Sequence, residues 1–259
     1  MKKVIFKIFI AVTALLVSTS AFATSLFGEW IVQSACNHNI NLRENAPYLQ
    51  FCEADSRIYG SLGENIINAN FLAGANKEIA VTEIAPTKRY SNNIRDENDI
   101  IEALDNARSY VITNGSNGIS HLKLLDSRGH TVLTAKRHNA DVISGVWEVS
   151  KIYSETPSIK GMELVIDIPM LQIHGKAACN IFNGKVGLDR KKDWFVQFHS
   201  ITSTRARCNE VEEATERDLL VALEEVETIK RENDKNTVIL LDKHGREVLT
   251  LNRIKTNHQ

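Results

Sequence analysis

Two short stretches of the chain decide how it folds: residues 175–184 read GKAACNIFNG, and residues 204–208 read TRARC. Together they hold two of the four cysteines, Cys179 and Cys208. The asparagines and glycines of the first stretch are typical of a tight turn between strands. A weaker copy of both stretches lies in the first half of the chain, which indicates an internal repeat.

The repeat extends over almost the whole chain. Three motifs recur in the same order: GEWIV at 28–32 with GVWEV at 145–149, NIIN at 65–68 with NIFN at 180–183, and LLDSRG at 124–129 with LLDKHG at 240–245. Across all matches the offset stays between about 115 and 119 residues, a register that chance similarity does not hold. We therefore predict a tandem duplication, with a first domain at residues 24–139 and a second at residues 140–259.

Each copy has the pattern of several short strands and one helix. In the second copy, apolar and polar residues alternate at 164–168 and again at 171–174, which predicts a hairpin interrupted at Pro169. After the helix, two strands are predicted to close each copy, joined by a turn that contains a glycine.

The clearest helix of the sequence spans residues 209–226. Asn209 and Glu212 form a capping box at its start, and its counterpart in the first copy spans about residues 96–107. One helix among many short strands predicts the α+β class. We expect two similar domains, each a curved antiparallel sheet or partial barrel with one covering helix.

The first 23 residues have the pattern of a secretory signal peptide. Lys2, Lys3 and Lys7 precede and flank a short apolar run, and residues 21–23 read AFA, the small residues that a signal peptidase recognises. No cysteine follows the run, so we expect a soluble periplasmic or secreted protein that is not a lipoprotein. No later segment is long or apolar enough to span a bilayer.

The charge balance argues against nucleic acid as a partner. Removing residues 1–23 takes away three lysines and leaves 28 basic against 32 acidic residues, a net charge of −4. The sequence also shows no basic cluster interleaved with aromatic residues.

Four cysteines in an exported chain predict two disulfides. In the frame of the repeat, Cys179 corresponds to Glu64 and Cys208 to about Ser91, so the first copy lacks both partners together. Cys36 and Cys52 likewise have no counterpart in the second copy. We therefore predict the pairs Cys179–Cys208 and Cys36–Cys52. A metal site that uses the nearby His174 and His199 is the alternative, although the short ligand spacings of strong metal motifs are missing.

The repeated asparagines are candidate binding residues. Asn180 and Asn183 recur as Asn65 and Asn68. The alternative is structural, because asparagine tolerates the left-handed conformation and bonds nearby backbone in tight turns.

A small basic segment before the second helix is the other candidate. Thr204, Arg205 and Arg207 offer donors that an anion could use. A solvated strand edge is the alternative. Catalytic motifs are missing: the sequence has no Gly-x-Ser-x-Gly elbow, phosphate loop or zinc-protease helix. We predict no catalytic residue, no metal and no cofactor.

The second copy resembles a known family. It resembles the META domain of the bacterial HslJ heat-shock proteins over residues 144–254, on the pattern Gly145-x-Trp147, Ile173-x-Gly175, Cys179-Asn180-x-Phe182-x-Gly184 and Thr204-x-x-x-Cys208. Ala178 stands where the family usually has glycine. The first copy, residues 27–138, is similar to the same domain more distantly.

The resemblance implies a fold, an exported location and a disulfide, and little chemistry. The family is associated with envelope or heat-stress phenotypes and has no established catalytic residue or cofactor. We expect a non-enzymatic, monomeric exported protein that binds an envelope protein or surface component. The alternative is a carrier of a small apolar ligand in the mouth of the sheet.

Overall fold

The computed structural model describes residues 25–40, 45–115, 119–231 and 236–254. The predicted signal peptide at residues 1–23 lies outside the described residues. Within these ranges, no helix has the length and apolar character needed to cross a membrane. The described chain forms two antiparallel sheets, one after the other in sequence.

The first sheet belongs to the first half of the chain. Its strands are β1 (Gly28–Ala35), β2 (His38–Asn39), β3 (Tyr48–Cys52), β4 (Arg57–Ser61), β5 (Ile66–Ala73), β6 (Ile79–Pro86), β7 (Ser109–Asn114), β8 (Ser120–Leu125) and β9 (Thr131–Lys136). Their order is β6-β5-β4-β3-β1-β9-β8-β7, with β2 paired to β1. Helix α1 (Ile94–Asn106) connects the two edge strands β6 and β7.

The second sheet repeats this topology. Its strands are β10 (Gly145–Ile152), β11 (Glu163–Asp167), β12 (Gln172–Ala177), β13 (Asn180–Gly187), β14 (Gln197–Ser203), β15 (Thr228–Arg231), β16 (Thr237–Leu241) and β17 (Glu247–Arg253). Their order is β14-β13-β12-β11-β10-β17-β16-β15, and helix α2 (Glu210–Glu225) connects the edge strands. A 3₁₀ helix (Asn139–Ile143) joins the two halves. The predicted fold class is confirmed.

Local sequence explains most of these elements. The predicted hairpin is β11 and β12, in which buried Leu164 and Ile166 alternate with less buried neighbours. Helix α2 begins after Asn209, and both hydrogen bonds of the predicted capping box with Glu212 are present.

The two predicted closing strands are present in each domain, but a third strand that was not predicted lies between them and the helix. The missed strands are β7 and β15. In the four residues of β15, Ile229 is the one aliphatic side chain. So short a segment shows no alternation in the sequence.

Each sheet curls until its two edge strands meet at one end. In the second domain the Val196 amide donates to the Glu227 carbonyl at 3.1 Å, and the Ile229 amide donates to the Trp194 carbonyl at 3.0 Å. Buried Leu219 and Leu223 of α2 pack into the concave side of the sheet. The equivalent strands of the first domain also meet, through a bridge between Glu78 and Ser109.

The two domains have separate cores, each built around one tryptophan. Trp30 and Trp147 have no exposed surface. Their indole nitrogens donate to backbone carbonyls four residues earlier, those of Leu26 and Ile143, both at 2.7 Å. Each tryptophan is therefore a core anchor whose one polar group is satisfied by the backbone.

An ion pair joins the domains. Arg190, in the β13–β14 loop, donates to both carboxylate oxygens of Glu29 at the start of β1, with Nε to Oε1 at 2.8 Å. Glu29 is 6% exposed, and the Arg190 guanidinium also lies 3.6 Å from the centre of the Tyr48 ring. Separating the domains would leave the buried carboxylate without its cation, which costs free energy. This contact therefore holds the two domains together.

Backbone contacts support the same junction. The Glu29 amide donates to the Pro169 carbonyl at 3.3 Å. Gly28 has φ +96°, and a Cβ at this position would lie 2.5 Å from the Pro169 ring, so glycine is required there. His138 Nε2 lies 3.0 Å from the Asp189 carbonyl, and burial lowers the pKa of this imidazole.

Candidate binding groove of the second domain

A buried asparagine ties strand β13 to the segment that leads into α2. Asn180 Oδ1 accepts hydrogen bonds from Thr204 Oγ1 at 2.7 Å and from the Ala206 amide at 2.8 Å. Its Nδ2 donates to Glu216 Oε2 on α2 at 2.9 Å. Asn180 does not adopt the left-handed conformation; Ala178 does, with φ 48°. The side chain of Asn180 therefore acts as a connector between three segments rather than as a turn residue.

The first domain repeats this arrangement. Asn65 Oδ1 accepts from Thr87 Oγ1 at 2.8 Å and from the Arg89 amide at 2.7 Å, and Asn65 Nδ2 donates to Glu97 Oε2 at 2.7 Å. Glu97 and Glu216 were not singled out by sequence reasoning, because Glu216 lies within a run of acidic helix residues. The repeat could have revealed them, since each glutamate lies three positions before the first buried aliphatic residue of its helix, Ile100 in α1 and Leu219 in α2.

The structure joins Cys179 and Cys208 in a disulfide, as the comparison of the two copies predicts, with the two Cα atoms 6.2 Å apart. The bond lies beside Asn180, whose Nδ2 is 3.5 Å from Cys179 Sγ and 3.4 Å from Cys208 Sγ. Asparagine, glutamate and disulfide thus connect the same three segments of the second domain.

The predicted Cys36–Cys52 disulfide is wrong. Both residues are free cysteines. The antiparallel register pairs Gly28 with Phe51, so Cys52 lies beside the start of β1, whereas Cys36 follows its end. Eight residues of strand separate these points by about 25 Å, far beyond the reach of a disulfide. Burial, with help from Glu102 and Asp99, raises the pKa of Cys36.

A groove opens above the disulfide. It has a volume of about 430 Å³, and its two walls are α2 and the segment at residues 203–208. Leu220 and Val221 supply apolar surface on the helix wall, and Arg205, Arg217, Glu213 and Glu224 supply charge. Asn180 and Glu216 lie in its lining together with Cys208.

The groove brings together three of the five predicted binding residues. Asn180, Thr204 and Arg205 line it, whereas Asn183 and Arg207 lie outside its lining. Asn183 is exposed on β13 and accepts a hydrogen bond from Thr202 Oγ1 at 3.0 Å.

The predicted alternative of a histidine metal site does not match the positions of the histidines. His174 on β12 is paired with Asn183, and His199 on β14 is paired with Lys185, both on exposed positions. Among the described residues, the group that could hold a metal consists of Cys179, Cys208 and Glu216, without a histidine.

Comparison with known families identifies the second half of the chain. Residues 140–255 match the family profile of the META domain. This part of the chain is a META domain. The match begins in the 3₁₀ helix and ends one residue after the last described residue of the domain.

Two solved structures are similar to about half of the chain. An NMR structure of a protein from Burkholderia xenovorans is 19% identical and has a TM-score of 0.37, covering 46% of this chain and 87% of its own. A second NMR structure is 21% identical with a TM-score of 0.33, covering 47% of this chain and 95% of its own. A sequence comparison with curated proteins finds no match.

This META domain departs from the family pattern at a position where the backbone is left-handed. Ala178 occupies the position of the usual glycine and holds a positive φ of 48°. Its counterpart in the first domain is Gly63, with φ +128°. The first domain thus keeps the glycine although it lacks the cysteines.

An arginine in each domain is a structural residue that the sequence analysis missed. Arg253, at the end of the META domain, donates to the carbonyls of Val142 at 3.0 Å and Ser144 at 3.1 Å, and its guanidinium lies 4.1 Å from the Trp147 ring centre. Arg137 does the same in the first domain, 3.8 Å from Trp30. Burial lowers the pKa of Arg137 to about 10. The repeat places these arginines 116 residues apart and could have revealed them.

The cavity at the domain junction is a weaker candidate site than the groove. Arg190, which lines it, is already bonded to Glu29 and stacked on Tyr48. Asp189 in the same lining accepts a hydrogen bond from the Lys191 amide at 3.0 Å. Arg190 is thus already engaged in the contact between the domains, and Asp189 in the turn of its own loop.

Proposed function

We propose that this protein is exported and acts without catalysis, binding exposed apolar segments of partly unfolded envelope proteins and so contributing to stress tolerance. The observation that carries the proposal is the apolar surface around the groove of the META domain. Val221 lies in the groove lining and is 45% exposed. Ile181, whose amide donates to Thr204 Oγ1 at the groove, is 62% exposed.

The composition of the groove suits a protein ligand. Apolar residues surrounded by charged ones are the usual anatomy of a protein-binding patch. Two arginines, Arg205 and Arg217, and three glutamates, Glu213, Glu216 and Glu224, line the groove, so charges of both signs surround its apolar surface. Membership of the META family supports a role in stress, and the N-terminal sequence supports export.

The carrier alternative receives no comparable support. Trp147, Leu164, Leu219 and Leu223 have no exposed surface, so packed side chains occupy the concave side of the sheet where an apolar ligand would bind. An apolar ligand site requires an apolar cavity, whereas five of the twelve residues that line the groove are charged.

The proposal is tested by measuring how well this protein suppresses the aggregation of a second, heat-unfolded model protein. Val221→Lys and Ile181→Lys place charge on the apolar surface, so we expect each to weaken suppression several-fold without changing the melting temperature of the protein itself. Val111→Lys is the matched control, because Val111 is an exposed valine on β7 of the other domain.

Equal suppression by Val221→Lys and Val111→Lys would show that the groove does not bind clients. Crosslinking through a photoreactive residue at position 221 in heat-stressed cells provides the second arm. Crosslinks to many envelope proteins that appear on heating support the proposal, and crosslinks to a single folded partner at all temperatures overturn it.

A further inference from the structure

The floor of the groove places three metal-binding side chains together. Cys179, Cys208 and Glu216 each offer one ligand atom, and these atoms lie within 4.8 Å of one another. All three residues are partly exposed. While the disulfide is intact, its sulfurs lack the thiolate charge that a metal requires.

A comparison of the two domains shows what is different about Glu216. In the first domain, the carboxylate of Glu97 accepts from the Glu64 amide at 3.1 Å, the Asn65 amide at 3.2 Å and Asn65 Nδ2 at 2.7 Å. Glu97 is 2% exposed and replaces the missing disulfide as the link between loop and helix.

Glu216 makes fewer of these bonds. Its Oε2 accepts from Asn180 Nδ2 at 2.9 Å, and it lies beside the two sulfurs and the open groove. The disulfide already links loop and helix in this domain. The carboxylate is thus placed at the cysteine pair with lone pairs available for another ligand.

We propose that reduction of the Cys179–Cys208 disulfide creates a Zn²⁺ site formed by both thiolates and the Glu216 carboxylate. A dithiol reductant supplies two electrons and two protons; the S–S bond breaks, two thiols form, and the reductant becomes a disulfide. Binding of Zn²⁺ then releases the two thiol protons to solvent. On reoxidation, a disulfide oxidant accepts the two electrons of the thiolates and two protons from solvent; its S–S bond breaks to give two thiols, the protein S–S bond re-forms, and Zn²⁺ is released.

The geometry permits this change with small movements. Zn–S bonds of about 2.3 Å in a tetrahedral site require sulfurs about 3.8 Å apart. The Cα separation of 6.2 Å lies toward the wide end of the range for disulfides, so side-chain rotation can open this gap. Because the ligand atoms already lie within 4.8 Å of one another, the carboxylate needs to approach the sulfurs by at most about 1 Å to reach a Zn–O distance of about 2.0–2.2 Å.

The ligand set favours zinc over other metals. Two thiolates select borderline and soft ions, and a carboxylate disfavours Cu(I) relative to Zn²⁺. Three protein ligands leave the fourth tetrahedral position open toward the groove, where a water molecule or a side chain of a bound protein can coordinate.

The inference is tested by measuring zinc binding to the full exported chain. This chain carries C36S and C52S, so that Cys179 and Cys208 are the two cysteines that remain. The chain is reduced with a phosphine, freed of reductant without oxygen, and titrated with Zn²⁺ against a chromophoric chelator. We expect about one Zn²⁺ per reduced chain and none for the oxidised chain. E216Q should weaken binding by at least about 10- to 100-fold.

E213Q is the matched control, because Glu213 lies one turn earlier on the same helix and lines the groove without belonging to the cluster. It should leave zinc affinity unchanged. Co²⁺ binding to the reduced chain with Glu216 intact gives a readout that does not depend on the glutamate variants. A thiolate-to-cobalt charge-transfer band supports the site. The inference fails if the reduced chain binds no zinc, if E216Q binds as tightly as E213Q, or if the band is missing.

Discussion

Asn180 contacts three segments of the META domain through one amide, and this makes its replacement costly. Asn180→Ala removes the acceptor of Thr204 Oγ1 and the Ala206 amide and the donor to Glu216. Because buried polar groups lose their partners, we expect unfolding free energy to fall by about 2 kcal/mol. Urea denaturation followed by tryptophan fluorescence measures the change.

Asn183→Ala is the control for this prediction. Asn183 is exposed on the same strand, so its replacement should change stability by no more than about 0.5 kcal/mol. Equal effects at the two positions would contradict the assignment of Asn180 as the connector.

At the residue scale, the sequence showed which asparagines recur but not what they bond to. The repeat aligns Asn65 with Asn180. In the structure each asparagine accepts a hydrogen bond from a threonine of its own domain, Thr87 for Asn65 and Thr204 for Asn180. The glutamate partners of the asparagines were not predicted, because acidic residues on a helix usually lie on its solvated face. The predicted Cys36–Cys52 pair could be rejected only from the strand register, which the sequence does not contain.

Arg253, at the end of β17, stabilises the second domain. Arg253→Ala removes two hydrogen bonds to the carbonyls before β10 and the contact with Trp147. We expect a loss of about 2–3 kcal/mol, since charge-assisted bonds and cation–π contacts are among the stronger single interactions. Thermal unfolding measures it.

Arg217→Ala provides the comparison, because the Arg217 side chain is 71% exposed on α2. A change within about 0.5 kcal/mol is expected there. If Arg253→Ala proved as mild as Arg217→Ala, the arginine would not hold the linker onto the domain.

The hairpin turn between β16 and β17 makes stability depend on acid pH. Burial raises the pKa of Asp242, but hydrogen bonds from Arg246 and from the His244 amide outweigh it and lower the pKa to about 2. Since the folded-state value lies below the ordinary value of 3.8, the carboxylate stabilises the fold above pH 4 and loses this effect as pH falls toward 2.

Denaturation midpoints of the wild type and Asp242→Asn at several pH values measure this contribution. The difference in stability between them should be largest near pH 5 and should shrink steadily toward pH 2. A difference that stays constant over this range would refute the assignment.

Elements with strong local patterns were predictable, and short elements were not. The capping box located α2 to within one residue at each end. Strand β15 has four residues and follows the helix after two residues, Val226 and Glu227, so no local pattern marks it. Its existence depends on pairing with β16 and closure of the barrel, which are tertiary effects.

At the scale of the molecule, Arg190 couples the two domains. Arg190→Ala leaves Glu29 as a buried carboxylate without its cation. We expect a loss of about 2–3 kcal/mol, somewhat below the cost for a fully buried pair because Arg190 is 29% exposed. Calorimetry should show one unfolding transition become two.

Lys191→Ala serves as the control, since Lys191 is the adjacent cation in the same loop. It should preserve a single transition. Two transitions in the unaltered protein would mean that the ion pair does not couple the domains.

The whole-molecule arrangement was the least predictable level. Duplication was evident from the sequence, but the junction uses residues that the repeat does not share. Nine residues separate β13 from β14, whereas five separate β5 from β6, and the longer loop carries Arg190. Contacts made by such unmatched residues leave no trace in an internal alignment.

The Glu29–Arg190 contact joins different faces of two similar domains, and such head-to-tail contacts can in principle continue indefinitely into fibres. Here the contact ends after one step. The counterpart of Glu29 in the META domain is Val146, which has no carboxylate to receive the arginine of another molecule. The duplicated chain therefore carries the attaching loop on one domain and its acceptor on the other, and this asymmetry protects it from self-polymerisation.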